Sequence, residues 1–218
     1  VTNNEHYPVF MGALFRRILD LNDEFKSNPV QLATTWAFYF EGKRFFEGNG
    51  VLVDHENIEK PILNLFRALS KMGQTRLYME SDCRRDVLAA DCPLEEVDGI
   101  AARSEKQVTV MLWRQADAWW VVGGGEVQVS LKNLPFTKAV RVTHYRIDSD
   151  HSNAYTVWKK MGSPQCPSPA QIDSIKSRQG LELLDPPRVF PVGEDGSLCL
   201  TFEMPIFSLS LVVVESGS

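Results

Sequence analysis

The chain has 218 residues, 44% of them apolar and 23% charged, which is ordinary for a protein with a packed core. Its net charge of -5 is modest, and Lys and Arg are scattered, so neither a nucleic-acid groove nor an anionic-membrane patch is expected. No apolar run reaches the roughly eighteen residues needed to span a bilayer.

The chain begins at Val1 with "TNNEH" and carries no charged start followed by an apolar segment, so no secretory signal is read there. A first residue other than Met suggests a processed or excerpted chain, and localisation is not readable. "VFMGALFRRILDLNDEF" places Phe10, Leu14, Ile18, Leu21 and Phe25 at three- and four-residue spacing, with Arg17 turned outward. This spacing predicts an amphipathic helix with that stripe as its apolar face. Asn28-Pro29 stops it, because a residue before proline avoids helical angles.

"VQLATTWAFYF" is a near-continuous apolar run rich in β-branched and aromatic residues, as expected for a parallel strand buried on both faces. After a long loop, "EKPILNLFRALSKMG" predicts a second helix. Pro61 suits its first turn, Leu65, Phe66, Leu69 and Met72 form its stripe, and Gly73 is its stop. One strand between two helices makes an α/β unit that must complete something larger.

From Gln74 the pattern changes to short antiparallel strands: "QVTVMLW", "AWWVVGG", "EVQVSLKNLP", "AVRVTHYRI", "SLCLTFEMP" and "FSLSLVVVE". Alternation of apolar and polar residues in several of them predicts a β-sandwich. Between Asp148 and Gly180 a helical insertion is expected. In it, "NAYTVWKKMG" is followed by "SPAQIDSIKSRQG" with Ser168 as cap, Pro169 at the first position and Gly180 at the stop. The division predicted is residues 1–73 and 74–218.

Most candidate chemistry reduces to structure. Gly123, Gly124 and Gly125 lie between strands with no Lys-Ser/Thr after them, so they read as a strand connection and not a phosphate loop. His6, His55, His144 and His151 show no metal spacing, and His144 and His151 read as structural hydrogen-bonding residues. Cys83, Cys92, Cys166 and Cys199 lack the paired spacing of a zinc site; a Cys83–Cys92 bridge and inert thiols both remain open.

The exception is "TTWAFYFEGKRFFEG", residues 34–48. Functional groups of a parallel barrel sit where a strand ends and its loop begins. Trp36, Phe38 and Phe40 lie on the expected strand and Glu41 opens the loop. An aromatic ring covers the C–H face of a pyranose while a carboxylate accepts its hydroxyls. A core strand with Glu41 reaching solvent is the alternative.

"TWAFYFEGKRFFEG" followed by "KPILNLFRALSKMG" resembles the eighth strand, loop and last helix of family 39 glycoside hydrolases, the β-xylosidases and their α-L-iduronidase relatives. "VTHYRIDSDHSNAYTVWKKMGSPQCPSPAQ" independently resembles the C-terminal β-sandwich of the same family. The resemblance implies the last strand and helices of a (β/α)8 TIM barrel followed by that sandwich. It implies a retaining glycosidase, most simply a β-xylosidase acting on xylo-oligosaccharides, whose two glutamates lie roughly 5 Å apart.

In this family those glutamates follow the fourth and seventh strands, so acid/base and nucleophile are expected upstream of Val1, and the segment alone is expected to be inactive. By the same resemblance Trp36 is the floor of the sugar subsite, Glu41 the loop carboxylate holding sugar hydroxyls, and Glu47 a second carboxylate. Phe45 and Phe46 wall the pocket or pack the loop. Tyr145, Arg146 and Asp148 tie the sandwich to the barrel, Trp158 and Met161 pack inside the insertion, and residues 151–155 are candidates for contact with the active site. No cofactor or metal is implied. The expected partners are the glycoside and the N-terminal catalytic part of the same protein, and a homo-oligomer stays open. The rival readings are an iduronidase-like or arabinosidase-like glycosidase, and a non-catalytic carbohydrate-binding or interaction module.

Overall fold

A computed structural model of the chain describes residues 2–33, 42–47, 51–85, 94–136 and 138–217. The predicted strand over "VQLATTWAFYF" falls largely outside these residues, as do Trp36, Phe38, Phe40, Glu41 and Cys92. The chain divides into two compact units, Val1–Arg67 with Ile147–Glu182, and Ala68–Arg146 with Leu183–Ser218. The helical insertion thus groups with the first residues of the chain and not with the strands that flank it.

The first unit holds helix α1 (His6–Phe25), most of α2 (Pro61–Ser70), α3 (Ala154–Lys160) and α4 (Pro169–Lys176). Helix α1 ends where Lys26 turns left-handed at φ 46, before the Asn-Pro pair. The Asn22 carboxamide then clamps the returning chain, donating to Val30 O at 2.8 Å and accepting from Val30 N at 3.1 Å.

The face that α1 buries differs from the expected one. Val9, Gly12, Ala13 and Arg16 are buried, whereas Phe10, Leu21 and Phe25 are exposed. Periodicity favoured the larger side chains. The smaller Gly12 and Ala13 make the packed side, and Arg16 is neutralised there by Asp20 at 2.9 Å.

Helix α2 opens on Pro61 as expected, burying Ile62, Leu65 and Ala68. It stops at Ser70, and Gly73 serves a different purpose. A Cβ there would stand 2.0 Å from the Arg103 carbonyl carbon, so the glycine permits a close backbone approach. Helix α4 has the capping box its sequence announces: Ser168 Oγ accepts from Gln171 N at 3.4 Å, and Gln171 Oε1 accepts from Ser168 N at 2.8 Å.

The second unit is built on strands β1 (Thr75–Leu77), β2 (Glu95–Arg103), β3 (Gln107–Ala116), β4 (Gly124–Leu131), β5 (Ala139–Ile147), β6 (Glu182–Pro191), β7 (Leu198–Pro205) and β8 (Ser208–Ser216). They form a 6-stranded sheet in the order β1-β2-β3-β8-β5-β6 and a 2-stranded sheet β4-β7. The pairs β1-β2, β2-β3, β3-β8 and β4-β7 are antiparallel. The sheets share an apolar core: Val110 and Leu112 of β3 meet Val129 of β4 and Met204 of β7, and Val140 and Val142 of β5 meet Leu198 and Leu200 of β7.

"AWWVVGG" is no strand: residues 117–120 turn, with Val121 N donating to Ala118 O at 3.0 Å, and leave Trp119 and Trp120 exposed. Gly124 and Gly125 enter β4 opposite Pro205 and Met204, and a Cβ at Gly124 would lie 2.7 Å from Met204 O, so these two glycines serve strand pairing. Strand β2 escaped notice because Glu96 and Asp98 interrupt its apolar pattern, although both are buried. Strand β6 escaped because of Pro186 and Pro187; it is the last strand in the sheet order, where missing donors are tolerated.

Candidate functional site

The described part of the loop that follows the expected barrel strand begins at Gly42, held at φ 75. Residues 44–47 make a tight turn: Glu47 N donates to Arg44 O at 3.1 Å, and Glu47 Oε2 accepts from Arg44 N at 2.9 Å. Glu47 is exposed. Its neighbour Phe46 points the other way and is buried at φ 51, a left-handed conformation uncommon for an aromatic residue.

Two sets of contacts surround Phe46. The first is aromatic. Its ring meets Tyr155 edge-on at 5.1 Å and Trp158 at 4.9 Å, within a cluster completed by Ile58, Ala154 and Ile175. The Trp158 ring nitrogen donates to Pro164 O at 2.9 Å, and Met161 packs at the edge of the cluster. The helical insertion is therefore anchored on the loop that carries Phe45 and Phe46.

The second set is polar and buried. Asp54 caps a short 3-10 turn, His55–Asn57, and its Oδ1 accepts from Phe46 N at 3.0 Å and from His55 N at 2.9 Å. The same oxygen lies 2.8 Å from His55 Nδ1, while Oδ2 lies 3.2 Å from Lys60 Nζ. Lys60 also donates to Asn3 Oδ1 at 2.7 Å, and Asn3 Nδ2 donates to Phe46 O at 2.6 Å. Burial pushes the Asp54 carboxyl up, but His55, the Phe46 amide and the Lys60 charge outweigh it and hold it below its ordinary 3.8. For Lys60 burial wins over Asp54 and lowers its basicity. Phe46, Asp54 and Lys60 lie close in sequence but at no motif spacing, and Asn3 is 43 residues from Phe46, so sequence carries no signal for this group.

The "HSNAY" segment is similarly built into the unit. Asp148 Oδ1 accepts from His151 N at 2.8 Å and lies 2.9 Å from His151 Nδ1. Asn153 caps α3, its oxygen accepting from Thr156 N at 3.3 Å, while its Nδ2 donates to Glu5 Oε2 at 2.8 Å. Buried Ser152 exchanges two bonds with Glu182, and Asn64 of α2 donates to Ser152 O at 2.9 Å and Gln179 O at 3.1 Å. Arg146, at the end of β5, bonds to Ser210 Oγ and Glu203 O, which are both in the strand unit.

Of the sequence-predicted site residues, the structure thus describes Glu47 and Phe46, adjacent in one turn but on opposite sides of it; Trp36 and Glu41 lie outside the described residues. Among the described residues no group of three or more His, Cys, Asp and Glu side chains could hold a metal ion. Cys83, Cys166 and Cys199 are free thiols. No described helix is long and apolar enough to cross a membrane.

The described residues thus form an antiparallel, sheet-rich unit and a separate helical unit that holds the aromatic loop, a mixed α and β class. Comparison with known proteins narrows this class. The glycosyl hydrolases family 39 matches residues 6–190, and the chain belongs to that family. A β-xylosidase of Geobacillus stearothermophilus is 23% identical over 222 residues, covering 98% of this chain and 38% of that protein. A monomeric β-xylosidase from Caulobacter crescentus superposes with a TM-score of 0.74 at 17% identity, over 100% of this chain and 42% of that one. A bacterial orthologue of human α-L-iduronidase superposes with a TM-score of 0.73 at 20% identity, over 99% and 39% of the two chains. The chain therefore spans about two fifths of the length of these relatives.

Proposed function

We propose that this chain is the C-terminal part of a retaining β-xylosidase that releases xylose from xylo-oligosaccharides. The observation that carries the reading is the relationship to a β-xylosidase across 98% of the chain, within a family match over residues 6–190. In this reading residues 1–73 are the end of a TM barrel, residues 74–218 are an accessory β-sandwich, and the helical insertion packs against the barrel loop. Trp36 is the floor of the sugar subsite, Glu41 and Glu47 accept sugar hydroxyls, and Phe46 holds the loop from beneath.

The chemistry is a double displacement. One carboxylate attacks the anomeric carbon, and one carboxylic acid protonates the leaving oxygen and then activates water. Both groups belong to the N-terminal catalytic part of the protein. The exposed stripe of Phe10, Leu21 and Phe25 supports such a partner, because large apolar side chains aligned along one helix face mark a surface that something covers.

The test is a panel of aryl glycosides on the full-length protein. Hydrolysis of a nitrophenyl β-xyloside with β-xylose as first product is expected, and the 218-residue chain alone is expected to be inactive. Preference for an α-L-iduronide or an arabinoside would replace the xylosidase reading. Hydrolysis by the isolated chain would overturn the assignment of both catalytic groups to the preceding part.

A further inference from the structure

The polar group beneath Phe46 closes into a ring. Starting at the Phe46 amide, it runs to Asp54 Oδ1 at 3.0 Å, from Asp54 Oδ2 to Lys60 Nζ at 3.2 Å, on to Asn3 Oδ1 at 2.7 Å, and from Asn3 Nδ2 back to the Phe46 carbonyl at 2.6 Å. Both backbone groups of one residue are thereby held by a single ion pair and a single carboxamide. The ion pair is buried, with side-chain exposures of 0% for Lys60 and 4% for Asp54.

A buried ion pair is an inefficient way to gain stability, since apolar residues of similar size usually do as well. What apolar residues cannot do is fix the direction of a backbone amide and carbonyl. Phe46 sits at φ 51, and such a conformation persists in a bulky residue only when its surroundings over-determine it. The ring supplies that constraint, and the 44–47 turn, internally locked by Glu47 and Arg44, follows the orientation of Phe46.

We propose that Asp54 and Lys60, with Asn3, are positioning residues that clamp the 44–47 turn and so aim the Glu47 carboxylate. The clamp stands on geometry alone; its consequence for sugar binding rests on the proposed function.

The clamp has a distinctive double-mutant signature. Lys60→Met strips the cation from Asp54 Oδ2 while His55 still bonds to Oδ1, so the buried carboxylate loses its compensation on one side and the loop gains a reason to open and hydrate it. Adding Asp54→Asn removes that charge while the carboxamide oxygen still accepts from Phe46 N. The second substitution is therefore expected to rescue the first.

The experiment is limited trypsin digestion of the full-length protein, comparing cleavage after exposed Arg44 with cleavage after exposed Lys132 in the strand unit. Lys60→Met is expected to speed cleavage at Arg44 about tenfold relative to Lys132, since proteolysis tracks the population of the open form. Lys60→Met/Asp54→Asn is expected to recover most of that resistance, and Asn3→Ala, which spares the ion pair, to speed Arg44 cleavage more mildly. Unchanged relative cleavage in Lys60→Met, or no rescue by Asp54→Asn, overturns the clamp.

For the positioning role, KM for the aryl xyloside is expected to rise about tenfold in Lys60→Met while kcat stays within about twofold, the pattern of lost uniform binding. Faster cleavage with unchanged KM overturns that role. A wild-type protein that hydrolyses no xyloside defeats the proposed function, and the digestion still decides the clamp.

Discussion

Arg146 of β5 donates through Nε to Ser210 Oγ of β8 at 3.0 Å, and through its terminal nitrogen to the Glu203 carbonyl of β7 at 2.8 Å. A single guanidinium that is 2% exposed thus links neighbouring strands of the large sheet to the backbone of the small one. The sequence motif around Tyr145 and Arg146 suggests a tie to the barrel; the two contacts described here stay within the strand unit. Arg146→Met keeps much of the volume but leaves a hydroxyl and a carbonyl without this donor, and should destabilise the unit by about 3 kcal/mol. Arg146→Lys should be nearly as costly, because one ammonium cannot reproduce the planar fork. Urea unfolding followed by far-UV dichroism checks both, and a lysine variant of wild-type stability would count against the bridging role.

Gly73 and Gly180 both follow predicted helices as stops, and their surroundings separate them. An added Cβ at Gly73 would meet the Arg103 carbonyl carbon at 2.0 Å and Ser104 N at 2.5 Å, all backbone that has nowhere to yield. At Gly180 nothing lies within 4 Å, and its φ is outside the left-handed range. Gly73→Ala should cost about 3 kcal/mol or more, whereas Gly180→Ala should fall within about 0.5 kcal/mol of wild type. Paired denaturation curves decide it; equal effects would contradict the close-approach account.

Local grammar explains which parts of this fold were legible. Helix α4 is announced within a few residues, by Ser168, Pro169 and Gln171, and the structure has that capping box. Strands β3, β5, β7 and β8 are dense in apolar and β-branched residues and were readable for that reason. Strand β2 hides because Glu96 and Asp98 are buried in it, Glu96 bonded to Gln115 on the neighbouring strand, so polarity there does not mean exposure. For α1 the periodic stripe was real, but the side packed in the unit is that of Gly12, Ala13 and Arg16. The ring of Asn3, Phe46, Asp54 and Lys60 had no local signature, since its members meet only through tertiary structure.

The cap of α4 gives a prediction of ordinary size. Ser168→Ala removes the acceptor for Gln171 N and should destabilise the helical unit by about 1 kcal/mol. Ser168→Asp should be tolerated, since a carboxylate accepts the same amide and favours a helix N-terminus. Hydrogen exchange of the α4 amides is the measurement, and protection unaltered by the alanine variant would show that packing of Ile175 alone holds the helix.

Glu5 yields a prediction whose sign reverses the usual acid behaviour. Burial raises its carboxyl above the ordinary 4.5; the Asn153 bond pulls it down, and the charges of Asp148 and Asp150 push it up again. A raised carboxyl means the folded state disfavours the charged form, so at pH above the folded value the penalty is present in full. As pH falls through that value the folded state takes up a proton before the unfolded chain does, and stability is regained until the unfolded value of 4.5 is passed. Glu5→Gln removes the charge and keeps an oxygen for Asn153 Nδ2. It should therefore raise the thermal midpoint at about pH 7.5, and the gain should vanish below about pH 4.5. Asp54 moves oppositely: its carboxyl is held below 3.8, so its contribution is retained above that pH and lost as pH falls through the folded value. That loss is common to both proteins and cancels in their difference. Thermal unfolding of wild type and Glu5→Gln at about pH 7.5 and about pH 4 checks this; a variant less stable at the higher pH would show that the Asn153 bond to a charged carboxylate outweighs its burial, and a gap of equal size at both would show that Glu5 ionisation contributes nothing.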